Sequence, residues 1–230
     1  MDFETILHPR RIHGTDIFLK TEMNIRSFFQ EKGYQETPTP LLVPNPGMEP
    51  HIHPFEVRPY GAQKVTHFLP TSPEFAMKKL LAGGLEKIFQ MSSAFRFEPT
   101  SRCHQPEFRM LEWYQAHVDE KTIQKEIQEL VYFLSTKILK KTIINFNDEK
   151  IDLTLPWPKK TVDELFIKHI QHSIYELESK ESFIEVCKKN KIQVHTTDTW
   201  DDLFFKIWLN KIDPFYPKNR PLIVPEFPAS

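Results

Sequence analysis

Cysteine is nearly absent from this 230-residue chain, which holds only Cys103 and Cys187. Neither has CxxC or metal-ligand company, so a disulfide framework is excluded and two unpaired thiols in a reducing compartment are predicted. No apolar run approaches the ~20 residues of a membrane span, and the opening MDFETILHPR lacks the apolar core of a signal peptide. The expectation is a soluble, cytoplasmic protein with no membrane partner. A basic excess is also missing: 30 Lys and Arg stand against 31 Asp and Glu, for a net charge of −1. Phosphate neutralisation drives nucleic-acid affinity, so this balance points away from a nucleic-acid partner. Glycine is scarce, with 6 residues against 19 prolines. Many prolines fall between Pro38 and Pro73, which predicts an irregular, loop-rich stretch.

What is present suits one domain over residues 1–230, because no repeat, low-complexity tract or flexible linker interrupts the chain. A chain of this size buries roughly 70% of its unfolded surface and needs no staples. Thr15–Lys32 reads as a helix with Ile17, Phe18, Ile25, Phe28 and Phe29 as apolar positions and Gly33 as its stop. Ser72-Pro73-Glu74 opens a second helix, with serine as N-cap and proline at the first helical position; Gly83-Gly84 ends it. Ile88–Met91 is strand-like. Helical spacing returns over Lys121–Lys140, Thr161 with Glu164 forms a possible capping box, and Trp200–Leu209 is a further helical segment.

The most informative stretch is FRFEPTSRCHQPEFRMLEWY, Phe95–Tyr114, which reads as two strands joined by a charged loop. Alternation puts Phe108, Met110, Glu112 and Tyr114 on one face and Arg109, Leu111, Trp113 and Gln115 on the other. On the first strand Ala94, Arg96 and Glu98 share a face, while Phe95 and Phe97 point away. If these faces coincide, cations, carboxylates, an exposed aromatic ring and a phenol surround one cavity. That equipment fits a nucleotide and an amine-bearing substrate. The plain alternative for Arg96 and Glu98 is an exposed cross-strand ion pair, worth under ~1 kcal/mol.

The hairpin resembles motif 2 of the class II aminoacyl-tRNA synthetases in the lysyl branch, and within it the short paralogues that lysylate elongation factor P. The stretch GYQETPTPLLVPNPGMEPHIHPFEV resembles motif 1 at Gly33, Glu36 and Thr39-Pro40. The likeness runs from about Arg10 to Ser230. It implies an α+β fold: a mostly antiparallel class II catalytic sheet flanked by helices. It also implies that Arg96 stabilises charge on the α-phosphate of ATP, that Glu98 places nucleotide and amine, and that Arg102 reaches the terminal phosphates. His104, Gln105 and Glu107 match positions beside the nucleotide, and Phe108 the ring that stacks on adenine. Phe97 is counted with these ATP-binding positions by the resemblance, although it and Gln105 stand where asparagine is usual. Ser72, Pro73 and Glu74, with Glu112 and Tyr114, match the positions that hold the amino acid. Motif 1, around Pro40, implies a homodimer, and ATP implies Mg²⁺. No protein metal site is assigned; His51 and His53 lack a third ligand.

Two segments of the family are not found in the sequence. No anticodon-binding domain precedes motif 1, which favours the short paralogue over a tRNA synthetase and makes tRNA an unlikely acceptor. No Gly-rich motif 3 follows VPEFPAS, so the catalytic core is expected to be incomplete at its C-terminal end. The implied activity is adenylation of lysine or β-lysine and transfer to a lysine of elongation factor P. The alternatives are a truncated lysyl-tRNA synthetase core and a non-catalytic nucleotide- or partner-binding remnant.

Overall fold

A computed structural model describes residues 9–47, 49, 51–101 and 104–228. The chain divides into two compact units, the first ending at Ile123 and the second beginning at Gln124. Among the described residues, no helix is long and apolar enough to cross a membrane. Arg102, Cys103 and Ser230 lie outside the described residues.

In the first unit, helix α1 spans Pro9–Glu31. It begins before Thr15 because a proline is tolerated in the first helical turn, where its missing N–H would be unpaired anyway. It ends as its glycine predicts. Gly33 adopts φ +80°; its N–H donates to Gln30 O at 2.9 Å, and that of Tyr34 to Phe29 O at 2.9 Å. These bonds form a Schellman motif that satisfies the terminal carbonyls. Burial concentrates at this end, in Phe28 and Phe29, while Phe18 is exposed, contrary to the apolar pattern. The periodicity marks a helix, but only the turns that meet the sheet become core.

The sheet has the order β1-β4-β5, with β1 at Gln35–Glu36, β4 at Lys87–Phe95 and β5 at Glu107–Gln115. β1 runs parallel to β4, and β4 antiparallel to β5 in unbroken register from Lys87↔Gln115 to Phe95↔Glu107. Directly opposed residues share a face. Phe89 therefore sits with Trp113, and Phe29 of α1 covers both, its ring 4.9 Å from Phe89 and 5.3 Å from Trp113. The opposite face carries Gln90 beside Glu112, Ser92 beside Met110 and Ala94 beside Phe108. Short strands β2 (Glu56–Val57) and β3 (His67–Phe68) pair antiparallel within the proline-rich stretch. Helix α2, Glu74–Ala82, follows, with Met77 fully buried and Gly84 at φ +100° just beyond its end.

The second unit is mainly helical. Helix α3, Glu120–Leu134, leads into it and closes in a π turn at Ser135–Leu139. Strands β6 (Ile143–Phe146) and β7 (Glu149–Asp152) form a hairpin whose turn residues Asn147 and Asp148 both have positive φ, as a two-residue primed turn requires. Helix α4 (Val162–Ile170) opens on the capping box foreseen at Thr161 and Glu164. Helix α5 spans Lys180–Lys189 and α6 spans Trp200–Ile207, the latter with its own capping box at Thr199 and Asp202. A second π turn, Trp208–Ile212, follows α6. The core of this unit is aromatic: Phe166 stacks on Phe204 at 5.5 Å, and Phe183 packs edge-on against Trp200 at 4.8 Å. Cys187, a free thiol, is buried in the same cluster.

Candidate active site

The face of β4 and β5 opposite α1 carries the site. β5 alternation points Phe108, Met110, Glu112 and Tyr114 to one side, as the sequence dictates. The strand–helix connection then brings Ser72 over Glu112. The Ser72 hydroxyl donates to Glu112 Oε1 at 2.5 Å, and Tyr114 Oη donates to Glu112 Oε2 at 2.8 Å. Each carboxylate oxygen thus has one neutral donor, and among the described residues no cation forms an ion pair with Glu112. Ser72 Oγ also accepts the Glu74 N–H at 2.9 Å. The helix proper starts at Glu74, with Pro73 in the cap position and no side-chain cap bond of its own. Serine capping is therefore displaced by one residue from the expected register, and the hydroxyl bridges a helix N-terminus and a carboxylate.

Electrostatics keep the phenol of this cluster in one protonation state. Burial, and then the hydrogen bond to Glu112, hold the Tyr114 phenol well above its ordinary range. The phenol stays a donor at any physiological pH. Glu74 is paired differently: Lys78, one turn later on α2, places Nζ 2.5 Å from Glu74 Oε1. Lys78 was not singled out in the sequence, although the (i, i+4) spacing from Glu74 was the available signal.

Arg96 sits one residue beyond β4. Its N–H donates to Pro106 O at 2.9 Å, which continues the ladder. Its guanidinium lies 5.3 Å from the Phe108 ring centre, and Nε donates to Thr71 O at 3.4 Å. Arg96 and Phe108 therefore share the face predicted for them.

Glu98 leaves the alternation: its N–H turns back to Arg96 O at 2.9 Å, so the strand does not extend to it. Among the described residues its carboxylate has no hydrogen-bond or ion-pair partner. Phe97 points away from Arg96, is 66% exposed, and packs edge-on against Phe55 at 5.4 Å. It lines a separate cavity of about 560 Å³ with His53, Phe55 and Phe68. An asparagine replaced by phenylalanine here therefore changes that cavity rather than the Arg96–Phe108 face.

The structure does not gather His104, Gln105 and Glu107 around Phe108. His104 and Gln105 are exposed and turn back on Ser101: His104 Nδ1 lies 3.0 Å from Ser101 Oγ, and Gln105 Nε2 donates to Ser101 O at 3.4 Å. Glu107 opposes Phe95 in the ladder and accepts from Ser93 Oγ at 3.1 Å, on the α1 side of the sheet. Pro40 is exposed and lines a cavity of about 300 Å³ with Thr39, Ser72 and Pro73. Thr39 beside it accepts from Gln90 Nε2 at 2.9 Å, which ties the motif 1 stretch to β4 directly across from Glu112.

A carboxylate held by two hydroxyls, a second carboxylate beside it and an arginine over an aromatic ring can seat an ammonium and a phosphate on one sheet face. Residues 14–225 match the model of the tRNA synthetases class II (D, K and N), and the chain belongs to that family. Among its relatives, an elongation factor P--(R)-beta-lysine ligase homolog of Aquifex aeolicus is 32% identical over 206 residues, covering 89% of this chain and 63% of that protein. The elongation factor P--(R)-beta-lysine ligase of Yersinia pestis is 31% identical over 211 residues, 90% of this chain and 59% of that one. A lysine--tRNA ligase of Moorella thermoacetica is 36% identical over 145 residues, 63% of this chain and 29% of that one. The chain thus spans about three fifths of the ligases it matches along most of its own length.

Proposed function

We propose that this chain carries an adenylating site that activates lysine or β-lysine with ATP and passes the aminoacyl group to a lysine of elongation factor P. The observation that carries the reading is Glu112, a carboxylate oriented by Ser72 and Tyr114 and, among the described residues, left without a cation. An ammonium would complete it. Both lysine and β-lysine present one.

In this reading the substrate carboxylate attacks the α-phosphorus of ATP, an acyl–phosphate bond forms, and pyrophosphate leaves. Positioning and charge stabilisation matter more than a base here, because the attacking carboxylate is already ionised. Arg96 would neutralise charge on the α-phosphate while Phe108, which faces the same side, stacks on adenine. Mg²⁺, bound with ATP, supplies further neutralisation of the phosphates. Arg102 is assigned to the terminal phosphates and Glu98 to the nucleotide and amine. Ser72, Pro73 and Glu74 form the wall on the helix side. In the second half-reaction the free ε-amine of the acceptor lysine attacks the acyl carbon and releases AMP, which leaves an amide. The motif 1 surface around Pro40 is proposed as a homodimer contact, and the compartment as the cytoplasm.

Names of relatives support the acceptor: two are elongation factor P--(R)-beta-lysine ligases or homologues and cover about nine tenths of this chain. The match to a lysine--tRNA ligase, at 36% identity, supports a second reading in which the acceptor is tRNA. The test is ATP–pyrophosphate exchange with lysine and with (R)-β-lysine, followed by mass analysis of elongation factor P and of tRNA. Exchange with either amino acid and a mass gain on elongation factor P is the expected result. No exchange, together with no binding of either amino acid, overturns the reading.

A further inference from the structure

The two carboxylates of the amino-acid cluster are not equivalent. Among the described residues Glu112 receives only hydroxyl donors, whereas Glu74 already holds an ammonium of this chain, Lys78, at 2.5 Å. The two are joined through Ser72, which donates to Glu112 and accepts from the Glu74 N–H. Lys78 also feels both charges: the hydrogen bond to Glu74, then its charge, and more weakly that of Glu112 raise the pKa of its ammonium. Lys78 is 55% exposed at the end of a flexible four-carbon stem, and Glu74 33% exposed, so the pair is easily opened.

We propose that Lys78 is a specificity-determining residue that occupies Glu74 as a tethered competitor and must be displaced when a diamino acid binds. The inference rests on the proposed function above. A diamino acid brings two ammonium groups to a cluster with two carboxylates. The first finds Glu112 open. The second meets Glu74 already neutralised, so the affinity for it is reduced by the strength of an exposed helical ion pair. The pair also keeps the empty cluster at one net negative charge rather than two, which limits self-repulsion between Glu74 and Glu112.

The test is lysine binding by calorimetry to the full chain, its Lys78→Met and Lys78→Gln variants, and each of them in a Glu74→Gln background. Removing the competitor should tighten lysine about two- to fivefold, the range of an exposed pair. The gain should vanish in the Glu74→Gln background and with one of the two monoammonium analogues, 2-aminohexanoate or 6-aminohexanoate. In the unmodified protein, the Lys78 side-chain Cε–Hε resonance should move when unlabelled lysine is added. Unchanged or weaker lysine binding in both Lys78 variants, with the wild type binding normally, overturns the inference and leaves the proposed function standing. A wild type that binds no lysine overturns both.

Discussion

Glu112→Gln separates charge from shape at the centre of the candidate site. Glutamine is isosteric with glutamate, and its amide can reproduce the local bonds. Its oxygen can accept from Ser72, which donates to Glu112 Oε1 at 2.5 Å, and its nitrogen can donate to Tyr114 Oη, now 2.8 Å from Oε2. No ion pair is broken, because among the described residues Glu112 has none. The fold should therefore persist, with a melting temperature near wild type. What is lost is the charge-assisted half of any ammonium contact. Hydrogen bonds to charged groups contribute about 1.5–3 kcal/mol, so lysine should bind about 10- to 150-fold more weakly. ATP binding should be unchanged, since Arg96 and Phe108 are untouched. Calorimetry with lysine and with ATP, alongside thermal melting, reads all three quantities. A variant that folds normally and binds lysine as the wild type does would refute the assignment of Glu112. Loss of lysine and ATP binding together with a collapsed melting temperature would show that Glu112 is structural.

Other outcomes follow from the same geometry. Phe108→Ala should weaken ATP by about 5- to 150-fold, the range of base stacking on an aromatic ring, and leave lysine binding intact; nucleotide titration checks it. Asp198→Asn tests the second unit alone. Asp198 is buried, with Lys206 Nζ at 2.5 Å and the His195 N–H donating at 2.8 Å, and these bonds, Lys206 first, hold its carboxyl below the usual range. A depressed pKa stabilises the fold above the ordinary carboxylate range and loses that contribution as pH falls through the lowered value. The variant should thus melt below the wild type at neutral pH, and the gap should close in strong acid. A gap that stays constant with pH would rule the ion pair out as its cause.

Local signals in the sequence were legible wherever neighbours along the chain decide the structure. The Gly33 stop, the Thr161–Glu164 capping box and the period-two alternation of β5 all depend on residues within a few positions, and all are found. Segments without a strong apolar period were missed. Helix α5 reads as polar, since its buried Phe183, Val186 and Cys187 are spaced among lysines and glutamates. The Asn147-Asp148 turn of the second hairpin was visible as a dipeptide but has little apolar alternation around it. Phe18 fails for the opposite reason: its periodicity is right, and its exposure depends on how far the sheet extends along α1.

The sequence by itself determined which side chains can do chemistry, and that Phe108, Glu112 and Tyr114 share one strand face; the pairing that adds Arg96 to them came from the structure. Only the tertiary structure decided who meets whom. Ser72 reaches Glu112 across 40 residues of chain because the connection into α2 folds over β5. β4 stops short of Glu98 because the Glu98 N–H turns back to Arg96 O. Alternation and capping are set within a few bonds, whereas the pairing of charges across a site depends on where separate segments come to rest.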